Sequence, residues 1–487
     1  MVAAGHPESA RAGARVLRAG GNAVDAAVGA MLASFTAEPL LTGLGAGGYL
    51  LAAGFDPEPV ALDFFVAAPG IGRGDPSAER APLLPVEVSF GDALQTFNVG
   101  PASVGTWGVP AGVCAAMARW GSVPLRELTA PAARTAREGV ALNAAQAYVF
   151  EILAGILTST PEGSALFAPG GRVLAEGDVF RWADLGDDLE RLGEHGAAPF
   201  YTGEVARSVV GWLQERGSVL GQGDLDAYGA VERTPVRVGY RGRTVLTNPP
   251  PSAGGLLIAA ALAGLGDHAA TPERLVEVMA AVQAGRTPSF VEGLDQPGFA
   301  ERFLASRLGS TTHISVVDDQ GRACAVTCTN GEGCGVVVPG TGMHPNNIMG
   351  EEDLNPLGFH AFAPGRRMPS MMAPTVVVGA GGVELVLGSA GSNRIRSAIL
   401  QTIVGVVDEG RDAEAAVARP RLHFEQDTVY AEPGFDAATL AATGYEVVDF
   451  REPNLFFGGV QAVQRDPATG RLSGAGDPRR GGVAMAA

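Results

Sequence analysis

The chain has 487 residues, 46% of them hydrophobic and 18% charged, which is enough to bury a sizeable core and too apolar for disorder; length alone allows about two to four domains or one large layered unit. No apolar run reaches the roughly 18 residues that a membrane-spanning helix needs, and a formal charge of −17 at pH 7 excludes chemistry that needs a broad cationic face, nucleic-acid binding and docking to anionic membranes among it. All 35 basic residues are arginine, so a Schiff-base lysine and a phosphate-loop lysine are excluded.

In chain order, apolar positions at helical spacing predict a helix over residues 9–19 that ends at Gly20-Gly21. Asn22 caps a second helix over 23–35, which is apolar apart from Asp25 and therefore buried on most sides. Gly43, Gly45 and Gly48 fit G-x-G-x-x-G, but here a helix precedes and a strand (49–53) follows, the reverse of a dinucleotide site. These glycines are assigned instead to close approach of backbone to other backbone or to a ligand. Residues 110–160 and 203–217 read as mainly helical, 236–246 as a hairpin, and 248–255 as a rigid turn into another helix. Beyond Ser310 strands dominate: 312–317 and 323–329 alternate around an Asp319-Gln320-Gly321 turn, and 374–378 and 383–387 follow.

The four cysteines, Cys114, Cys324, Cys328 and Cys334, lack the two-residue spacing of a zinc knuckle or redox motif. Cys324 and Cys328 share a strand face with Val326 and read as small buried hydrophobes. Sparse cysteines and an opening without a basic, then apolar, leader predict a reducing, cytoplasmic setting. Neither a His/carboxylate ligand cluster nor a functional nucleotide loop is present, so no metal or organic cofactor is implied.

Thr311-Thr312-His313 opens a strand at the boundary between the helix-rich and strand-rich parts. A threonine hydroxyl is a weak nucleophile until a base stands beside it, and a free α-amine on the same residue can be that base. That chemistry demands cleavage between Ser310 and Thr311. On its own the tripeptide better suits an ordinary strand start.

The wider pattern carries more information. His6-Pro7, the block Gly20-Gly21-Asn22-Ala23-Val24-Asp25-Ala26-Ala27, the glycines of 43–48, Ala61-Leu62-Asp63-Phe64, Phe200-Tyr201-Thr202-Gly203, Thr311-Thr312-His313, Asn346-Asn347, Arg394-Ile395 and Gly476-Asp477-Pro478-Arg479-Arg480 fall in one order. In this order, which covers nearly the whole chain, the sequence resembles the γ-glutamyltranspeptidase family. The resemblance implies an α+β fold, a four-layer αββα N-terminal-nucleophile hydrolase made as one inactive chain. That chain would cut itself before Thr311 into a large subunit, 1–310, and a small subunit, 311–487, which stay together as one catalytic unit and are open to further dimerisation. Thr311 is the implied nucleophile, Thr329 the second threonine that keeps its oxygen poised, and Gly391 with Ser392 the oxyanion-holding pair, worth about 3 kcal/mol per donor. His313 is taken as structural, because strand alternation sets it ~6–7 Å along from Thr311.

The sequence departs from that family where a γ-glutamyl group would be anchored. The family's carboxylate-binding arginine falls on Phe65, and its two serines fall on Ser370 and Met371. On the amine side the residue after Asn347 is Ile348, and Glu351 stands where an aspartate is usual; around Asn330-Gly331 the match slips by about two residues. Losing a guanidinium partner removes a contact worth roughly 1.5–3 kcal/mol. Arg366 and Arg367 could reach a carboxylate from another direction, and the segments before Thr311 and between 352 and 365 look short. The sequence therefore points to a threonine hydrolase acting through an acyl-enzyme on a small, non-γ-glutamyl substrate, of the kind that cleaves a carbon–carbon bond in alkylproline-type antibiotic biosynthesis. The alternatives are a γ-glutamyl hydrolase or transpeptidase acting on glutathione-like amides, a cephalosporin-acylase-like amidase, and an unprocessed, non-enzymatic remnant.

Overall fold

Pro7 suits the first turn of a helix because its missing N–H is one the helix would leave unpaired, and His6 Nδ1 accepts the Glu8 amide at 3.1 Å, so the first helix begins ahead of its apolar pattern, at Pro7–Arg18. Asn22 caps the second, Ala23–Ala37, with its side chain accepting the Val24 and Asp25 amides at 2.8 and 3.1 Å; the Asp25 carboxylate returns the bond to the Asn22 amide at 2.8 Å. Every residue of this second helix is buried. The computed structural model describes residues 1–73, 80–89, 94–284, 312–355 and 357–487. Ser310 and Thr311, the expected cleavage site and nucleophile, lie outside the described residues.

Two antiparallel sheets organise the mixed helix and strand fold. The seven-stranded sheet runs Val483–Met485, Val2–Ala4, Thr312–Val317, Ala323–Thr329, Gly47–Ala53, Val60–Phe64, Val231–Arg233. The six-stranded sheet runs Leu472–Gly476, Gln461–Arg465, Gly382–Gly388, Thr375–Gly379, Arg243–Thr247, Val236–Tyr240. One apolar cluster draws on both sheets alone: Ala3, Leu51, Ala325 and Val317 from the first meet Leu246, Val376, Val386 and Val463 from the second. On the far side of the first sheet, Ile314, Val316, Cys324, Val326 and Cys328 pack with helices Pro7–Arg18, Ala23–Ala37, Val109–Trp120 and Leu125–Glu138. Leu385 and Leu387 of the second sheet join helices Gly254–Leu265, Pro272–Ala284 and Arg394–Val407.

The alternation in 312–317 therefore does not separate core from water, since all six residues are buried. It separates a helix-facing side from a sheet-facing side, which is why polar residues recur on an interior strand and must find partners there. His313 does so with both ring nitrogens, Nδ1 to Thr327 Oγ1 at 2.7 Å and Nε2 to Ser315 Oγ at 2.9 Å. The glycine run also has a spatial reason: a Cβ on Gly48 would lie 2.5 Å from the Thr327 carbonyl oxygen.

Candidate active site

Antiparallel pairing sets Thr312 opposite Cys328 and His313 opposite Thr327, so Thr329 is the next residue beyond Thr312's partner. Thr329 is buried and its Oγ1 accepts the Gly331 amide at 2.8 Å, which fixes the turn that follows. Asn347 closes on that turn: its amide donates to the Asn330 carbonyl at 3.2 Å and its Oδ1 accepts the Glu332 amide at 3.0 Å. A Cβ built on Gly331 would stand 2.0 Å from Asn347 Oδ1 and 2.3 Å from Glu351 Oε1, so Asn347 and Glu351 converge on one point. Glu332, whose Oε2 lies 3.4 Å from Asn347 Nδ2, joins them.

Gly391 and Ser392 lead into helix Arg394–Val407. Their φ angles are +113° and +55°, a conformation natural for glycine and unfavourable for serine. Their carbonyls accept the Arg394 and Ile395 amides, each at 3.1 Å. The Gly391 N–H has no hydrogen-bond partner among the described residues, and it lies near the positive end of the helix dipole.

The anchoring positions form a different wall. Phe65 is fully buried, its ring stacked on Tyr49 at 5.7 Å, and it shares an apolar cluster with Ile348, Met368 and Met371. Its backbone is pinned on both sides, the amide by Asp63 Oδ1 at 2.9 Å and the carbonyl by the Tyr228 hydroxyl at 2.6 Å. Residues 65–68 are laced to 365–368, with the Ala68 amide on the Arg366 carbonyl at 2.8 Å and the Met368 amide on the Val66 carbonyl at 2.9 Å. Ser370 Oγ accepts the Met372 amide at 3.0 Å within its own turn. The guanidinium of Arg366 lies over the Phe362 ring at 4.8 Å. That of Arg367 lies over Tyr228 at 4.2 Å, with Nε 3.5 Å from Asp63 Oδ1. Thus of the expected site residues the structure brings Thr329, Asn347 and Glu351 together around one turn, groups Phe65 and Met371 in one apolar wall, and joins Gly391 and Ser392 at one helix start.

A profile of the family described as Gamma-glutamyltranspeptidase matches residues 9–307 and 300–487. The chain belongs to the gamma-glutamyltranspeptidase family. Among its relatives are the Acylase ACY 1 proenzyme of Pseudomonas sp. (strain SE83), 32% identical over 528 residues, covering 100% of this chain and 93% of that protein. The glutathione hydrolase proenzyme of Escherichia coli (strain K12) is 31% identical over 535 residues, 98% of this chain and 90% of that one. The crystal structure of cephalosporin acylase from Bacillus halodurans superposes with a TM-score of 0.85 at 27% identity, covering 100% of this chain and 95% of that one. As a member of this gamma-glutamyltranspeptidase family the protein is an enzyme of the hydrolase and acyltransferase class.

Two buried ionisable residues of this family member were not singled out from the sequence. Glu38 follows the apolar helix Ala23–Ala37, where the hydrophobic pattern gives no sign of a buried acid. Its Oε1 accepts the Thr312 hydroxyl at 3.1 Å and its Oε2 the Ser9 hydroxyl at 3.3 Å. Burial pushes its carboxyl up to about 7. Arg480 lies behind the Gly391-Ser392 loop, where a Cβ on Gly391 would come within 3.1 Å of its Nη2, and that Nη2 donates to the Leu455 carbonyl at 3.1 Å. Burial lowers its pKa to about 10. Its signal was the Gly-Asp-Pro-Arg-Arg block, whose Asp477 and Arg479 lock the turn: Asp477 Oδ2 accepts Arg421 Nη2 at 2.6 Å, and Arg479 Nε donates to Glu432 Oε1 at 2.6 Å. Cys324 and Cys328 are buried as expected, and Cys328 Sγ lies 2.9 Å from Thr42 Oγ1. Among the described residues no His, Cys, Asp and Glu side chains are grouped to hold a metal ion, and no helix is long and apolar enough to cross a membrane.

Proposed function

We propose that this chain is a four-layer αββα hydrolase that cuts itself between Ser310 and Thr311 and then transfers a non-γ-glutamyl acyl group to water. In the first step the Thr311 hydroxyl attacks the Ser310 carbonyl carbon and the peptide C–N bond breaks as the nitrogen takes a proton. Water then hydrolyses the ester left behind and frees the amine of residue 311. In turnover the same oxygen attacks the substrate's acyl carbon, the amine takes its proton and passes it to the leaving group, and water releases the acid. Thr329 steadies the nucleophile, while the amides of Gly391 and Ser392 receive the developing oxyanion. Two relatives named as proenzymes support processing from one precursor into pieces 1–310 and 311–487, and the helix-backed sheets that meet face to face support the layered fold.

The observation that carries the substrate reading is Phe65, buried and stacked on Tyr49 where a carboxylate-binding arginine is expected, with Met371 and Ile348 in the same cluster. A wall of that kind desolvates a carboxylate without compensating it. An acylase among the relatives and a cephalosporin acylase among the solved folds agree with an acyl group other than γ-glutamyl. Carbon–carbon bond hydrolysis of an alkylproline-type intermediate is the narrower form of the same proposal. All four cysteines are unpaired, in keeping with a reducing, cytoplasmic setting.

The test has two arms. Intact mass of the purified protein beside Thr311→Ala should give two fragments divided after Ser310 in the parent alone; one uncut chain in both would refute self-processing. A panel of γ-glutamyl-p-nitroanilide, a side-chain amide of a cephalosporin and an alkylproline-type intermediate should show turnover of one of the last two. Ready hydrolysis of the first would refute the changed specificity.

A further inference from the structure

Glu38 is buried, yet its two oxygens are divided between separate elements, the Thr312 hydroxyl at 3.1 Å and the Ser9 hydroxyl at 3.3 Å. Thr312 heads strand Thr312–Val317, and Ser9 belongs to helix Pro7–Arg18. The space around the carboxylate is closed: a Cβ on Gly5 would fall 2.3 Å from Glu38 Oε1. The charged and titratable groups that feel this carboxylate are Arg480, which favours its ionised form, and Cys328 on the neighbouring strand, itself pushed by burial up to about 12.

We infer that Glu38 is a positioning residue for the nucleophile, a carboxylate that fixes the head of strand Thr312–Val317 through Thr312 and so aims residue 311 both at its own upstream carbonyl and at substrate. The inference rests on the reading of Thr311 given above. Ionised, the carboxylate accepts from both hydroxyls. Protonated, one oxygen becomes a donor and one of those two bonds must be given up or reversed. A buried carboxyl raised to about 7 changes between these states near neutrality, so aim and rate should fall together as pH drops through that value. The nearby Arg480 ties the same carboxylate electrostatically to the Gly391 loop, placing one charge between the two halves of the reaction.

The experiment compares the parent, Glu38→Gln and Ser9→Ala. It measures the rate of fragment formation by intact mass, and kcat and KM from pH 5 to 9 on whichever panel substrate is turned over. Glu38→Gln is expected to slow fragment formation and kcat by about 10–100-fold, the cost of a misaimed nucleophile, with KM unchanged and the acid limb of kcat reduced to the titration of the residue 311 amine alone. Ser9→Ala, which keeps the Thr312 bond, should retain the limb with a smaller loss. Thermal melts of all three check the fold. A Glu38→Gln protein that cuts and turns over like the parent, or whose loss leaves the pH profile unmoved, overturns the role of Glu38 alone. A parent that stays uncut overturns the nucleophile reading itself, and the role of Glu38 with it.

Discussion

The start of strand Thr312–Val317 and the adjoining end of strand Ala323–Thr329 are lined by hydroxyls, amides and carboxyls that are buried and bonded: Thr312 to Glu38, Thr329 to the Gly331 amide, Asn347 to the Glu332 amide. The wall of Phe65, Ile348 and Met371 is equally buried and carries no polar side chain. Both regions are buried, but different interactions hold them. The first is held by directional bonds, local at Thr329 and long-range at Thr312 and Glu38, so any one change leaves a group unsatisfied. The second is held by packing, which accepts replacement of similar volume. Hydrogen-bonded positions are thus constrained one by one, while the apolar wall can be rebuilt without disturbing them.

The largest expected break is in the first region. Gly391→Ala puts a side chain at φ +113°, with its Cβ 2.8 Å from Gly458 Cα, and by displacing the amide proposed to receive the oxyanion should cut kcat by about 10²–10³-fold, the usual cost of losing one such donor. Steady-state kinetics beside a melting curve separate that loss from unfolding. In the second region, Phe65→Arg with Met371→Ser should create or raise hydrolysis of a γ-glutamyl anilide by about 10–100-fold in kcat/KM, matching a regained charge-assisted contact of roughly 1.5–3 kcal/mol. No gain would mean that these two positions are not what excludes glutamate.

A third effect concerns acid. Burial lowers His313 to about 3 and His344 to about 4. Below the unfolded value of ~6.5 the unfolded chain binds protons that the folded one refuses, so stability should fall as pH drops from there toward 4, on the order of 2 kcal/mol per histidine at pH 5. Glu38, raised to about 7, acts in the opposite direction: the folded state holds its proton more tightly, and stability declines as pH rises from about 4.5 to 7. Urea unfolding at pH 5 and 7 should show the gain in stability between those values shrink in His313→Gln and grow in Glu38→Gln. The smallest effect is Ser392→Gly, which removes a side chain from φ +55° and should raise the unfolding free energy by about 1 kcal/mol.

What could be read from the sequence followed local rules. The Asn22 cap, the helix after Gly254 and the paired strands of 312–317 and 323–329 all lie where spacing puts them, because each is settled within a few residues of chain. The grouping of Phe65 with Met371 was legible only through the family pattern. Glu38 and Arg480 were not legible in their roles, because what makes them matter is tertiary: an acid past a helix end meeting Thr312, and an arginine from the C-terminal turn meeting Gly391. The alternation in 312–317 was read correctly as a strand but says nothing about which neighbour each face would find; only the second sheet supplies the reason that His313 and Ser315 lie inside.

The seven-stranded sheet also bears on assembly. Strand Val2–Ala4 lies between Thr312–Val317 and Val483–Met485, bonded to both. A piece ending at residue 310 would therefore be threaded through the middle of the other, with the first residues of the chain clasped by the start and the finish of its companion. Two such pieces would melt as one body and would not trade partners with another molecule by simple dissociation. If expressed from separate genes, neither would have a complete sheet to fold onto, and each would need the other present while it folds.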